Sequence, residues 1–193
     1  MGILIIIIIT LTSYFSQTEN NIPYSKNKKI IRKIEQKTNI ANPHLKSFST
    51  GKNITEGEFF LIYTEKESSN PHYYLYIGRV NSCRSRGCNI NGTSQFDKKK
   101  NENLEYFDHL ILFDTTGTIR YTDIFNYQAS HGHEVTSRWW LKQFKGYQGH
   151  SALSENNQID GISGATISVR SMIADVVEKT KILKTYLNQN IKK

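Results

Sequence analysis

The chain lacks several motifs that would by themselves point to a function. It contains no Gly-x-Gly-x-x-Gly, and no Gly-Lys-Ser/Thr follows a glycine loop, which excludes the dinucleotide-binding fingerprint and the P-loop. The Cys-x-x-Cys-His attachment site of a c-type haem is missing as well. No repeat period is present, and the only biased tracts are short lysine clusters. A repeat architecture is therefore not expected.

Cysteine is scarce, with only two in 193 residues. Cys83 and Cys88 enclose Arg-Ser-Arg-Gly, and in an exported protein a disulfide that closes this short loop is the first expectation. A redox role for the pair is the alternative, because neighbouring arginines favour the thiolate. No cysteine follows the N-terminal apolar run, so a lipoprotein anchor is not supported.

There is one long apolar run, at residues 3–11. It is short for a bilayer span but suits the core of a signal peptide. We therefore interpret residues 1–16 as a signal peptide or membrane anchor, which predicts an extracytoplasmic location, periplasmic or membrane-anchored and facing outward. A buried isoleucine-rich strand is the alternative interpretation.

Basic residues outnumber acidic ones, 25 to 17, which gives a formal net charge of +8. They cluster at residues 25–37, in "CRSRGC" and at residues 98–100. For an exported protein, anionic lipid or an acidic partner protein fits this charge better than nucleic acid, which we do not expect as a partner. The ordinary alternative is a solvated surface.

Hydrophobic periodicity indicates an α+β fold, in which an N-terminal helix and a C-terminal helix flank an antiparallel sheet. The elements of one predicted domain, residues 26–187, are a helix at 26–38, strands at 57–64, 73–80, 106–114 and 118–127, a short helix at 137–144 and a long last helix. The polar stretch around Pro43 is assigned no element, a turn is expected at 68–71, and residues 83–103 form a long loop.

The segment "DGISGATIS", residues 160–168, lies where the last helix should begin. Unpaired N–H groups and the helix dipole attract an anion to such a position, most often a phosphate. Gly164 and Ala165 would let a phosphate approach the backbone, and Ser163 and Thr166 add hydroxyls. Simple N-capping by a hydroxyl side chain is the alternative and needs no ligand.

This segment resembles the flavinylation motif, Asp-x-x-Ser/Thr-Gly-Ala-Thr-x-Ser/Thr, of the FMN-binding domain family. The family includes the extracytoplasmic FMN subunits of the Rnf and sodium-pumping NADH:quinone reductase complexes. The resemblance implies that a flavin transferase joins the FMN phosphate to the hydroxyl of Thr166 as a phosphoester. Asp160, Ser163, Gly164 and Ala165 match the rest of the motif, and Asp160 is interpreted as a recognition residue for the transferase.

A second segment, "SHGHEVTSRWW", is more loosely similar to the family's His-x-Glu-Thr-Pro-Gly-Leu-Gly loop near the flavin ring. The resemblance implies that His131, Gly132 and Glu134 lie near the ring. The Pro-Gly-Leu-Gly half is absent, and Trp139 and Trp140 stand in that region. One indole could stack on the flavin, or the pair could be one core and one surface residue.

Two imidazoles and a carboxylate would also suit zinc or iron, with His131, His133, Glu134 and His150 as the alternative ligand set. The spacing provides no fixed fourth ligand, so no metal is expected.

Two functions are compatible with these features. The first is an electron carrier that holds covalent FMN and works with a membrane electron-transfer complex or redox protein, rather than a stand-alone enzyme. The second is a non-redox exported binding module with a basic, aromatic surface.

Overall fold

The structure, a computed structural model, describes residues 24–64, 70–82, 105–150, 153 and 158–190. Its centre is a five-stranded antiparallel sheet in which every strand pairs with its neighbours in sequence, in the order β1-β2-β3-β4-β5. The strands are β1 (His44–Phe48), β2 (Gly57–Tyr63), β3 (Tyr73–Asn81), β4 (Tyr106–Asp114) and β5 (Ile119–Tyr127). Such a meander needs only short-range strand pairing, and it leaves β1 and β5 at the edges.

Within the described residues, three α-helices pack around the sheet: α1 (Lys28–Thr38), α2 (Arg138–Leu141) and α3 (Thr166–Asn190). Short 3-10 helices span Tyr24–Lys26, His133–Thr136 and Lys142–Phe144. The α+β prediction, with one helix towards each end of the domain, is confirmed.

The two long helices cover opposite faces of the sheet. Ile30 and Ile34 of α1 pack on the face that includes Leu75 and Leu110. The opposite core contains α3, α2 and the other sheet face; its buried members include Phe107, Ile111, Trp140, Phe144, Val169, Met172 and Val176. A helix with one apolar stripe is stable only when that stripe is covered, so the sheet holds both helices in place.

Strand β1 is the main element that the sequence prediction missed. His44–Phe48 follows Pro43 and carries mostly polar side chains, two of them exposed. Its backbone pairs with β2 from His44 opposite Tyr63 to Phe48 opposite Phe59. Because an edge strand can face water with polar residues, its composition does not show the alternation of a half-buried strand.

The remaining predicted elements agree closely with the observed ones. β4 has the predicted bounds, and the predicted helix at 137–144 is an α-helical turn continued by a 3-10 turn. Residues 1–16, the loop at 83–103 with Cys83 and Cys88, and part of the turn at 68–71 lie outside the described residues. Among the described helices, none combines the length and apolar composition needed to cross a bilayer.

A buried polar cluster joins α3 to the sheet. Nε2 of the fully buried His109 lies 2.7 Å from Oδ2 of Asp175, an ion-pair distance without hydrogen-bond alignment. Asp175 Oδ1 lies 3.2 Å from Nζ of Lys179, which also contacts the exposed Glu178 at 2.6 Å. The side chains of α3 that pack on the sheet therefore include charged groups that compensate one another.

Candidate functional site

Helix α3 begins at Thr166 without a side-chain cap. The residue before it is Ala165, whose carbonyl accepts a hydrogen bond from the N–H of Val169 at 2.9 Å. Within the described part of the chain, no group accepts from the N–H groups of Thr166, Ile167 or Ser168. Alanine is among the weakest N-cap residues, so the capping interpretation of the motif is not supported. The helix start presents unpaired donors and the positive end of its dipole.

The turn that leads into α3 depends on Gly164. Its φ of 81° lies in the left-handed region, and a Cβ there would meet no atom within 4 Å. The N–H of Ala165 donates to the carbonyl of Ile162 at 3.0 Å and closes the turn. Glycine is therefore needed here for its backbone conformation, while the space beside it stays open.

The structure brings the two segments that resemble the flavin family into contact. Gly132, with φ 85°, is buried against Ala165, so a Cβ on the glycine would lie 3.2 Å from the Cα and the Cβ of the alanine. Small residues at both positions let the two backbones approach. His131, next to Gly132, is thereby held beside Thr166, and both line one cavity.

A chain of hydroxyl groups holds the helix start on the sheet. The Tyr127 hydroxyl, at the end of β5, donates to the carbonyl of His131 at 2.6 Å. It also lies 2.9 Å from Oγ of the buried Ser168, which is 3.0 Å from Oγ of Ser82. Burial raises the pKa of Tyr127 above its ordinary value, so the hydroxyl keeps its single proton at neutral pH. Because that proton is used in the hydrogen bond to the His131 carbonyl, the Ser168 hydroxyl donates to the Tyr127 oxygen.

The backbone of the motif's acidic end is fixed by α2 and the 3-10 turn after it. The indole N–H of the buried Trp140 donates to the carbonyl of Asp160 at 2.8 Å, and Oε1 of Gln143 accepts from the N–H of Asp160 at the same distance. The Asp160 side chain is left exposed. Trp140 is thus a core residue and Trp139, 58% exposed, is a surface residue.

The cavity at the helix start has a volume of about 180 Å³. Its lining residues are Ser82, Glu105, His131, Gly164, Ala165, Thr166, Ile167 and Ser168. This is below the roughly 300–1,000 Å³ of typical ligand pockets, so the described residues enclose only part of a ligand as large as FMN. Residues 83–104, which connect two of the lining residues, lie outside the described part.

Four residues predicted for the site line this cavity: His131, Gly164, Ala165 and Thr166. The other four do not. Gly132 supports the cavity through Ala165, while Asp160, Ser163 and Glu134 are exposed and do not line it.

Sequence reasoning missed Ser82, Glu105 and Ile167 in the lining, and Tyr127 behind it. Ser82 directly follows β3 and Glu105 directly precedes β4. This position next to a strand is the only local sequence feature that marks them.

The electrostatics of the cavity come mainly from the backbone. Among the described lining residues there is no Lys or Arg, and the one carboxylate is Glu105. Oε1 of Glu105 accepts hydrogen bonds from the N–H and the hydroxyl of Ser130. These bonds disperse its charge, and the unpaired N–H groups of α3 are the principal attraction for an anion.

The alternative metal set is not assembled. No three His, Cys, Asp or Glu side chains among the described residues form a group that could hold a metal ion. His131 Nδ1 lies 3.0 Å from Oγ of Ser130, and the His133 ring packs edge-on against Tyr127, with ring centroids 5.3 Å apart.

Comparison with known proteins agrees with the resemblance seen in the sequence. The family model of the FMN-binding domain matches residues 89–179, which include β4, β5, α2 and the first part of α3. Comparisons with curated proteins and with solved structures gave no significant match. Residues 89–179 are therefore similar to the FMN-binding domain, the family that the motif resembles.

Proposed function

We propose that this chain carries FMN joined as a phosphoester to Oγ1 of Thr166 and acts as an exported electron carrier. Its partners would be a membrane electron-transfer complex or redox protein and an extracytoplasmic acceptor. The observation that carries the proposal is the exposed hydroxyl of Thr166 at an uncapped helix start, against which the His131 segment packs.

The described residues fit the phosphate end of FMN. The N–H groups of Thr166, Ile167 and Ser168 are available to it, and the Gly164 turn leaves open space next to them. An ester of the FMN phosphate keeps one negative charge, which a helix dipole stabilises by roughly 0.3–1 kcal/mol. This is too weak to retain a cofactor that can diffuse away, and a covalent bond removes the dependence on free FMN.

When bound, FMN supplies electron-transfer chemistry of its own, and the protein contributes binding and orientation. Gly132 and Ala165 set the spacing between the two segments, and the hydroxyls of Tyr127, Ser168 and Ser82 lock the first turn of α3 to β5 and the end of β3. The acceptor oxygen is thereby held on a rigid element.

Maturation would need a flavin transferase, for which Asp160 is the proposed recognition residue. Its side chain is exposed while its backbone is held by Trp140 and Gln143, so the carboxylate is accessible on a fixed backbone. Residues 1–16 remain our proposed signal peptide or anchor, and export follows from them alone.

The test is to co-express the full chain with a flavin transferase, denature it, and measure flavin fluorescence and intact mass. We expect the wild-type chain to gain the mass of one FMN less one water and Thr166→Val to gain nothing. Thr166→Ser keeps a hydroxyl and should retain labelling, and Ser163→Ala controls for a change beside the acceptor. Labelling of Thr166→Val would refute the assignment, and a wild-type chain without flavin would favour the non-redox binding module.

A further inference from the structure

A second and larger cavity, of about 560 Å³, lies between α1 and α2 across the edge strand β5. It shares no lining residue with the cavity at Thr166. Its size is within the range of ligand pockets. Six cationic side chains line it: Lys33, Lys37, Arg120, Arg138, Lys142 and Lys145. We refer to this cavity as the basic groove.

The positive charge of the basic groove is only partly compensated: Lys33 and Arg120 each have a carboxylate within 4.0 Å, Arg120 through Asp114, which is not among the lining residues. Its one carboxylate is the buried Asp123, which forms an ion pair with Lys33. In the part of the chain that the structure describes, Arg138, Lys142 and Lys145 have no carboxylate within 4.0 Å. Like charges held together repel one another, so this cluster costs stability unless an anion is bound.

These cations are not explained by packing. In α2 it is Trp140 and Leu141 that are buried, whereas Arg138 and the two lysines after the helix are exposed. The groove also contains Tyr121, over whose ring Nζ of Lys37 lies at 4.5 Å. Burial raises the pKa of Tyr121, as does the nearby Asp123, so its hydroxyl remains a neutral donor at neutral pH.

The basic surface continues beyond the groove along α1. Lys28, Lys29 and Arg32 line an adjoining depression that also includes Lys33. A small phosphorylated molecule could contact only one end of such a surface. A bilayer is flat and would not reach the floor of a concave groove.

We propose that the basic groove binds an acidic, carboxylate-rich segment of a partner protein. Such a segment is long enough to follow the cations from α2 across β5 to α1, and it can enter the groove with its side chains. Complementary charge of this kind increases association rates and selects partners more than it adds to affinity. Attraction should therefore fall as salt rises.

The groove and the proposed flavin site share one structural support. Arg138 of α2 lines the groove, and Trp140 of the same helix holds the backbone of Asp160. With the proposed function, an acidic redox partner would dock next to the helix that supports the flavin loop. The binding inference itself requires no flavin, so the two proposals fail independently.

The test measures binding of a fluorescent glutamate-rich decapeptide to the flavin-free full chain by anisotropy, with an uncharged Gly-Ser peptide as the ligand control. We expect Arg138→Gln/Lys142→Gln/Lys145→Gln to weaken binding at least about ten-fold at low salt, with a smaller difference near 0.15 M ionic strength. The matched variant Lys46→Gln/Lys52→Gln/Lys181→Gln removes the same charge from exposed positions outside the groove. It should weaken binding less than about three-fold, because distant surface charges are screened.

Three results would overturn the proposal. Equal weakening by the two triple variants would mean that net charge alone attracts the peptide. Absence of peptide binding together with groove-dependent binding to phosphatidylglycerol vesicles would assign the surface to a membrane. Full displacement of the peptide by inorganic pyrophosphate at similar affinity would assign the groove to a small phosphorylated ligand.

Discussion

Gly132 lies against Ala165 so closely that a methyl group on the glycine would come within 3.2 Å of both the Cα and the Cβ of the alanine. This contact joins the His131 segment to the motif that contains Thr166. Since both residues are at or near the smallest possible size, the distance between the two segments is set by their backbones. The geometry of the site thus depends on this packing contact as well as on the Tyr127 hydroxyl, which bonds both His131 and Ser168.

Gly132, which forms this contact, and Gly164, which precedes Ala165, should respond differently to substitution. Gly164→Ala should lower the free energy of unfolding by about 1–2 kcal/mol, because alanine is strained in the left-handed conformation. Its methyl group would add no clash, since no atom lies within 4 Å of it. Gly132→Ala adds overpacking against Ala165 and Tyr127 and should cost at least about 1 kcal/mol more. Urea unfolding at constant m-value measures both. Equal losses would show that the Gly132–Ala165 contact can relax without cost.

Removing the Tyr127 hydroxyl should loosen the start of α3. We expect Tyr127→Phe to lower the free energy of unfolding by about 1 kcal/mol, because it loses the bonds to His131 and Ser168. Flavin attachment to Thr166 should slow at a temperature where the variant is folded by circular dichroism. In Tyr186→Phe, which removes a hydroxyl without a hydrogen-bond partner among the described residues, stability should change by less than about 0.5 kcal/mol. Similar effects of the two variants would contradict the proposed role of the hydroxyl chain.

The adjacent tryptophans provide a matched pair for the support of Asp160. Trp140→Phe removes the indole N–H that donates a hydrogen bond to the carbonyl of Asp160, and it leaves space in the core. The two losses together should lower the free energy of unfolding by about 1–3 kcal/mol. The rate of flavin attachment should also fall in the folded variant, because the Asp160 backbone then keeps only its bond to Gln143. Trp139→Phe changes an exposed side chain and should alter stability by less than about 0.5 kcal/mol. A labelling rate unchanged in Trp140→Phe would exclude this support as a factor in maturation.

Acid should destabilise the protein through Asp175. Burial opposes ionisation of this carboxyl, but His109 and Lys179 outweigh burial, so its pKa lies below the ordinary 3.8. A pKa lowered by folding contributes stability that is present above the unfolded value and is lost as pH falls through the folded value. Urea unfolding from pH 7 to pH 2 should therefore show a loss below about pH 4 that is smaller in Asp175→Asn.

At pH 7, Asp175→Asn should lower stability by about 3–5 kcal/mol, because it removes one partner of a buried charge pair. Glu178→Gln is the control, since Glu178 contacts the same lysine but is 62% exposed in its side chain. Its effect should stay below about 1 kcal/mol. If the free energy of unfolding fell equally steeply below about pH 4 in Asp175→Asn and in the wild-type chain, other carboxyls would govern acid unfolding.

The elements with a strong local pattern were predictable from the sequence. β4 is a short run rich in apolar and aromatic residues that is buried at seven consecutive positions, and α3 buries residues at helical spacing, so both patterns are visible without knowledge of the fold. β1 was not predictable in this way, because an edge strand with exposed polar side chains has no such pattern. The candidate site was also predictable only in part. The motif residues around Thr166 are contiguous in the sequence and could be recognised there, whereas Ser82, Glu105 and Tyr127 are distant in the chain and could not.

The amino-acid sequence alone determined the chemistry of the motif: a glycine for a left-handed turn, a small residue before the helix, and the hydroxyl of Thr166 at its first position. Tertiary structure decided what surrounds that hydroxyl. The antiparallel meander brings the end of β3, the end of β5 and the start of α3 together, and only there do Ser82, Tyr127 and Ser168 form hydrogen bonds. Local conformation depends on neighbouring residues, but contacts between distant segments depend on strand order and packing, which no short stretch of sequence encodes.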